Sequence, residues 1–267
     1  MRLWIDTDVG TNVDDAVALL AAVAHPAVSL VGVSTVGSEP ERRAAVAVGL
    51  LAAAGVDPAS VAVVGGAAGP APDASEVAGV VEAVAASGAE ALLAIGPLTN
   101  VAAMTAAGVR PPELTIMGGA LRPVQHRGEL RAVEHNFGSD AEAAAEVLAV
   151  PGAVLVPLDA TVAARLDGRM AARLVATAPV LEPMVAAWVE QWSEVVLHDP
   201  AALLVAAGDG SELGRFERRR LLVEPDGRLV DGGRGAAGTV HDVVTSLFGS
   251  AVVASVLALL ADLKPAG

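Results

Sequence analysis

The sequence predicts one α/β domain, with a mostly parallel, open twisted sheet flanked by helices. Two observations carry that prediction. Short β-branched or Leu-rich runs alternate along the chain with long Ala-rich helical patterns, the sequence sign of βαβ units. No Pro/Ser-rich tract, charge block or internal repeat interrupts the 267 residues, so a single domain over 1–267 is expected.

The first strand is Leu3-Trp4-Ile5, closed by Asp6, and the run AVALLAAVA from Ala16 is its helix. Four more strands are expected at Ser29–Ser34, Ala91–Ile95, Leu114–Met117 and Ala153–Val156, each followed by a loop holding Gly, Pro, Asp or Asn and then a helix. The longest apolar runs, Ala44 to Val56 and Ala251 to Ala261, fall short of the roughly 20 residues of a membrane helix and predict buried helices. Met1-Arg2 lead straight into the first strand without a charged and apolar leader, so a cytoplasmic protein is expected.

Composition narrows the function. Hydrophobic residues make up 54% of the chain, ample for a sizeable core although aromatics are only 2%. With no cysteine, disulfides and thiolate metal sites are excluded. A net charge of −14, with 17 basic residues against 31 acidic ones, argues against a nucleic acid polymer as partner, because phosphate recognition relies on Lys and Arg.

In open α/β sheets, ligands bind beyond the carboxyl ends of the strands. Four such loops carry polar clusters: Asp6 to Asp15, Gly96 to Asn100, Met117 to Asn136, and the segment around His198-Asp199. The first places Asp6, Asp8, Asp14 and Asp15 in one small volume, with Gly10 to turn the loop. Like charges at close range raise one another's pKa unless a cation compensates, and oxygen-only donors suit a hard divalent ion such as calcium or magnesium. Capping of the following helix is the plain alternative for Asp14 and Asp15. It leaves Asp6 and Asp8 unexplained.

DTDVGTNVDDAVAL resembles the opening Asp-x-Asp-Pro-Gly-x-Asp-Asp-Ala of the inosine-uridine preferring nucleoside hydrolase family, with Val9 in place of proline and two extra residues before Asp14-Asp15. Five further segments agree in order: LVGVSTVGS, AIGPLTNVA, TIMGGA, VEHNFGSDAEAAAEVL and VLHDPAA. VPLDAT and GTVHD extend the resemblance to most of the chain.

The resemblance implies a nucleoside hydrolase-like fold with a Rossmann-like core, and hydrolysis of the N-glycosidic bond of a ribonucleoside. It implies a calcium ion held by Asp8, Asp15, Asp199 and the backbone carbonyl of Ile95, with Asp8 also the general base for the attacking water. Asp14, Glu134 and Asn136 would bind ribose, with Met117 beside them in the substrate site. His198 would protonate the departing base. The family also implies a small-molecule nucleoside as partner, no membrane, and a homodimer or homotetramer.

Trp188 and Trp192 stand one helical turn apart in the segment before His198-Asp199, which puts both rings on one face. They are candidates for stacking on the base, against a plain role in the core. Asn100 is assigned to closing a turn after Gly96-Pro97. His126, His135 and His241 rank below His198 as functional candidates.

Two departures from the family pattern stand out. Gly37-Ser38 and Gly128-Glu129 occupy places where ribose-binding amides are usual. Two rival readings also exist. Asp6-Thr7-Asp8-Val9-Gly10 resembles the strand-end motif of haloacid-dehalogenase-like phosphatases, but the chain's only lysine is Lys264 and no Arg follows a strand to hold a phosphate. The other rival is a nucleoside- or ribose-binding protein without turnover.

Overall fold

The structure, a computed structural model, describes residues 1–57, 59–109, 113–126, 128–192, 194–233 and 237–263, so Lys264 lies outside the described residues. The amino-terminal part repeats a strand-helix unit: β1 (Arg2–Thr7), α1 (Val13–Ala24), β2 (Ser29–Thr35), α2 (Pro40–Ala53), β3 (Ala62–Gly65), α3 (Ala74–Ser87), β4 (Ala91–Ala94), α4 (Thr99–Ala106) and β5 (Glu113–Met117). A hairpin of β6 (Val124–His126) and β7 (Glu129–Arg131) comes next, then α5 (His135–Ser139), α6 (Ala141–Leu148), β8 (Val154–Val156) and α7 (Leu158–Thr161). The remainder comprises β9 (Arg165–Leu166), α8 (Gly168–Thr177), α9 (Glu182–Trp192), β10 (Val195–Val196), α10 (His198–Ala206), α11 (Gly210–Leu213), β11 (Gly214–Val223), β12 (Leu229–Asp231), β13 (Thr239–Leu247) and α12 (Gly249–Ala261).

Nine strands form one sheet in the order β12-β11-β13-β8-β5-β4-β1-β2-β3. Pairing is parallel from β3 to β13, and β11 runs antiparallel to both β13 and β12. All five expected strands are present. The chain runs outward from β1 through β2 to β3 and returns as β4 on the other side of β1. The strand order therefore reverses at β1/β4, which is where a crevice opens beyond the carboxyl ends.

The central strands of the sheet are buried on both faces. In β1, Leu3 and Ile5 join the layer formed with α1, α10 and α12, whereas Trp4 joins the opposite layer with α3, α4 and α6. This alternation is the period of two expected of a strand. Trp4 lies opposite Gly32 of β2, and a Cβ there would run into the indole ring. Trp4 Nε1 donates to Ser34 Oγ (2.9 Å), so this tryptophan is a core residue.

The apolar run Ala44 to Val56 departs from expectation. Only Ala44, Ala47, Leu50 and Leu51 of α2 are buried, so the helix turns one face to solvent. Alanine tolerates either environment, which is why this run shows no polar stripe. No helix among the described residues is long and apolar enough to cross a membrane.

Candidate active site

Thr7 ends β1 and anchors the loop that leads into α1. Its Oγ1 accepts from Val9 N (3.1 Å) and donates to Asp15 Oδ1 (2.6 Å), so the strand end holds a carboxylate of the next helix. The loop turns at Gly10, whose φ of +110° suits glycine. Asn12 occupies the N-cap of α1 without a side-chain cap bond, and Asp14 and Asp15 fall in the first turn, both buried. Asp199 lies in the first turn of α10, which packs against α1. Asp14, Asp15 and Asp199 each offer an oxygen, and these oxygens lie within 4.8 Å of one another.

Burial pushes the Asp15 and Asp199 carboxyls well above their ordinary range, and repulsion adds to it, from Asp8 and Asp14 on Asp15 and from Asp14, Asp15, Asp8 and Glu134 on Asp199. Helix amino-terminal dipoles favour anions here, but only modestly. Three buried carboxylates at this spacing suit a divalent cation, and their oxygens match the donors calcium takes. Among the described residues this cluster contains Asp14, which the resemblance assigned to ribose, and does not include Asp8.

Asp8 lines the same cavity, a space of about 630 Å³. Burial raises its pKa, while Arg43 and His135 pull it back down. Arg43 reaches from α2 to the carbonyl of Asp8, to Val9 O (3.1 Å), to Thr11 Oγ1 (3.1 Å) and to Ser38 O (2.9 Å). It therefore binds the Asp8 loop to the loop after β2.

Ile95 follows β4 directly, its N donating to Asp6 O (2.8 Å). Its carbonyl accepts from Asn136 Nδ2 (3.0 Å), which also donates to Met117 O (3.1 Å). Gly96 sits where a Cβ would come 2.7 Å from Val36 and 3.0 Å from Asp8 N, so only glycine lets this turn approach the Asp8 loop.

Glu134, Asn136, Met117, His198, Trp188 and Trp192 all line the cavity. Glu134 is also the N-cap of α5, where it accepts from Asn136 N (2.8 Å), Phe137 N (3.2 Å) and Gly119 N (2.9 Å). His198 Nδ1 stands 2.7 Å from Thr161 Oγ1, and that hydroxyl donates to Leu158 O (3.1 Å). The contact with Thr161 fixes the orientation of the His198 ring through Nδ1. Trp188 and Trp192 contact each other at 6.2 Å with ring planes tilted by 50°. Trp188 is buried in the core layer, with Trp192 packed against it.

Sequence reasoning missed several cavity residues. His126 and His135, ranked low, both line it, and His126 meets the His198 ring edge-on with centroids 4.9 Å apart. Arg43 and Arg131 carry no sequence signal of their own, since each lies in an ordinary-looking polar stretch. His241 keeps away from the cavity, its Nε2 3.0 Å from Leu148 O. Asn100 donates to Asp6 Oδ1 (2.8 Å) and Thr35 O (3.1 Å) and accepts from Ala67 N (2.9 Å), so instead of closing the turn after Gly96-Pro97 its side chain joins three strand ends.

Asp6 would be the nucleophile of a dehalogenase-like phosphatase, yet it is fully buried beneath Ser34 and Asn100. Burial raises its pKa to about 7.

A family model described as inosine-uridine preferring nucleoside hydrolase matches residues 3–243. The chain belongs to that family. It is thus a nucleoside-hydrolase-type enzyme, and the family's reaction is hydrolysis of the N-glycosidic bond of nucleosides. A search of curated protein sequences finds no match to the chain. Among solved structures, it is similar to a purine-preferring ribonucleoside hydrolase from Gardnerella vaginalis, with a TM-score of 0.80 at 19% identity over 98% of this chain and 99% of the other. A plant nucleoside hydrolase gives 0.78 at 19% identity over 97% and 98%. An inosine-uridine preferring nucleoside hydrolase from Bacillus anthracis gives 0.76 at 17% identity over 98% and 99%. At these identities the structural likeness speaks for the fold.

Proposed function

We propose that this nucleoside hydrolase cleaves a ribonucleoside to free base and ribose, and that Asp8, Asp15, Asp199 and the Ile95 carbonyl would hold a calcium ion. The observation that carries this reading is the buried triad of Asp14, Asp15 and Asp199, drawn from two helix starts far apart in sequence. Bound calcium supplies positive charge that offsets the carboxylates' repulsion and acidifies a nearby water.

The chain's own residues do the rest. Asp8 takes a proton from the attacking water as its oxygen bonds to the anomeric carbon, and the elevated pKa that burial gives Asp8 suits it to that role. As the C–N bond breaks, its electron pair leaves with the base and positive charge builds on the sugar. The surrounding carboxylates stabilise that charge. His198, its ring held through Nδ1 by Thr161, donates a proton from Nε2 to the departing base. Trp188 and Trp192 contribute the apolar wall against which a planar base packs. Asn136 orients the Ile95 carbonyl and leaves Asp14 and Glu134 facing the sugar.

Assembly as a homodimer or homotetramer and a cytoplasmic location belong to the same reading, and the solution mass tests the first. The reaction itself is tested by incubating purine and pyrimidine nucleosides with the protein and calcium, then assaying free base and reducing sugar. Release of both in equal amounts is expected. Binding without release would favour the non-catalytic alternative.

A further inference from the structure

We propose that the substrate is an anionic ribonucleoside, carrying a phosphate or carboxylate away from its 2′,3′-diol, and that Arg131 selects it. The inference rests on the nucleoside hydrolase reading and names the substrate class of that same site. It starts from the β6–β7 hairpin. Val124 pairs with Arg131 and His126 with Glu129, so the period of two puts these four side chains on one face and Gln125 and Leu130 on the other. Leu130 is 66% exposed, whereas His126 and Arg131 line the cavity. The hairpin thus turns His126 and Arg131 toward the cavity. Arg131 lies diagonally across from His126, a spacing of about 7–8 Å in antiparallel pairs, and His126 touches His198. That places the guanidinium within a nucleoside's length of the group assigned to the leaving base.

The guanidinium has capacity to spare. Arg131 Nε is buried without a hydrogen-bond partner among the described residues. Its terminal nitrogen pairs with Glu129 (2.8 Å), whose side chain is 68% exposed. An exposed pair of this kind holds its arginine weakly, while a guanidinium binds a planar or tetrahedral oxyanion through two parallel bonds.

The neutral amide on this side is already engaged. Asn136 Nδ2 donates to Ile95 O (3.0 Å) and Met117 O (3.1 Å). The cavity thus has buried acids at the metal site and the Arg131 guanidinium on another wall, which matches a ligand with a diol at one end and an anion at the other.

The test measures kcat/KM with calcium for inosine, inosine 5′-phosphate, uridine, uridine 5′-phosphate and orotidine, using wild-type protein and R131Q. The wild type is expected to prefer at least one anionic substrate over its neutral counterpart by tenfold or more. R131Q should lower that ratio by about 10- to 100-fold, as loss of a charge-assisted contact implies. Preference for a 5′-phosphate would seat the anion beyond C5′, and preference for orotidine would seat it beside the base. Neutral nucleosides cleaved as well as all anionic ones, or a ratio unchanged in R131Q, would overturn the inference and leave the hydrolase reading standing. No cleavage of any of the five would overturn both.

Discussion

At the scale of single residues, the site depends on which side chains hold the carboxylates as much as on the carboxylates themselves. Asp8, Asp14 and Asp15 were legible because acid residues at a strand end and a helix start form a recognisable pattern, and Asp199 was legible through the family resemblance of VLHDPAA. Thr7, Arg43, Asn136 as the partner of Ile95, and Thr161 were not, because their roles depend on side-chain direction rather than on spacing. Thr7→Val keeps the shape of the side chain and removes the 2.6 Å bond to Asp15. Loss of such an outer partner typically costs about 10- to 100-fold in metal affinity. Calorimetric titration with calcium should show a loss of that size with the fold intact. Unchanged affinity would mean that Asp15 needs no holding. Asp8→Asn should slow turnover by about 10²–10⁴, the range for a lost general base. Single-turnover rates under saturating calcium check this, and a near-normal rate would move the base to Asp14.

At the scale of elements, periodicity revealed the buried parallel strands β1, β2, β4, β5 and β8 and missed the four strands toward the two edges. β3 is four residues long between turn residues. In β11, Arg215, Phe216, Glu217 and Arg218 are all exposed, so no apolar alternation marks it. The helix α9 shows why the two readings of its tryptophans were hard to separate: both rings line the cavity, and both pack on the core. They differ in burial. Trp188→Ala should destabilise the fold by about 3–5 kcal/mol, as expected for a large buried ring. Trp192→Ala, at a more open position, should instead raise KM by a factor equivalent to roughly 1–3 kcal/mol of base stacking. Thermal unfolding and steady-state kinetics on both variants separate the effects. A stable Trp188 variant with unchanged kinetics would contradict this account of α9.

At the scale of the whole molecule, the net charge of −14 is concentrated in its consequences at one buried place. Burial raises the pKa of Asp6, Asp8, Asp15, Asp199 and Glu134. Between the ordinary value of such a group and its raised one, the folded protein holds more protons than the unfolded chain. Without metal, stability therefore falls as pH rises through that window, which for Asp6 runs from 3.8 to about 7. Calcium reverses the trend, because it binds the ionised carboxylates of the folded state alone. Calorimetric unfolding of chelator-treated protein should show a midpoint that drops between about pH 4 and pH 7, with calcium raising it most at the upper end. A calcium effect that did not grow with pH would disconnect the ion from the buried acids.

The measurement that bears most directly on the proposed calcium site of Asp8, Asp15 and Asp199 is calcium titration followed by nucleoside hydrolysis on the same samples, for wild-type protein and Asp199→Ala. The expected result is one calcium per chain in the wild type, activity that vanishes on chelation and returns at the same calcium concentration that saturates binding, and loss of both in the variant. Full hydrolysis by wild-type protein that elemental analysis shows to be free of metal would contradict the account.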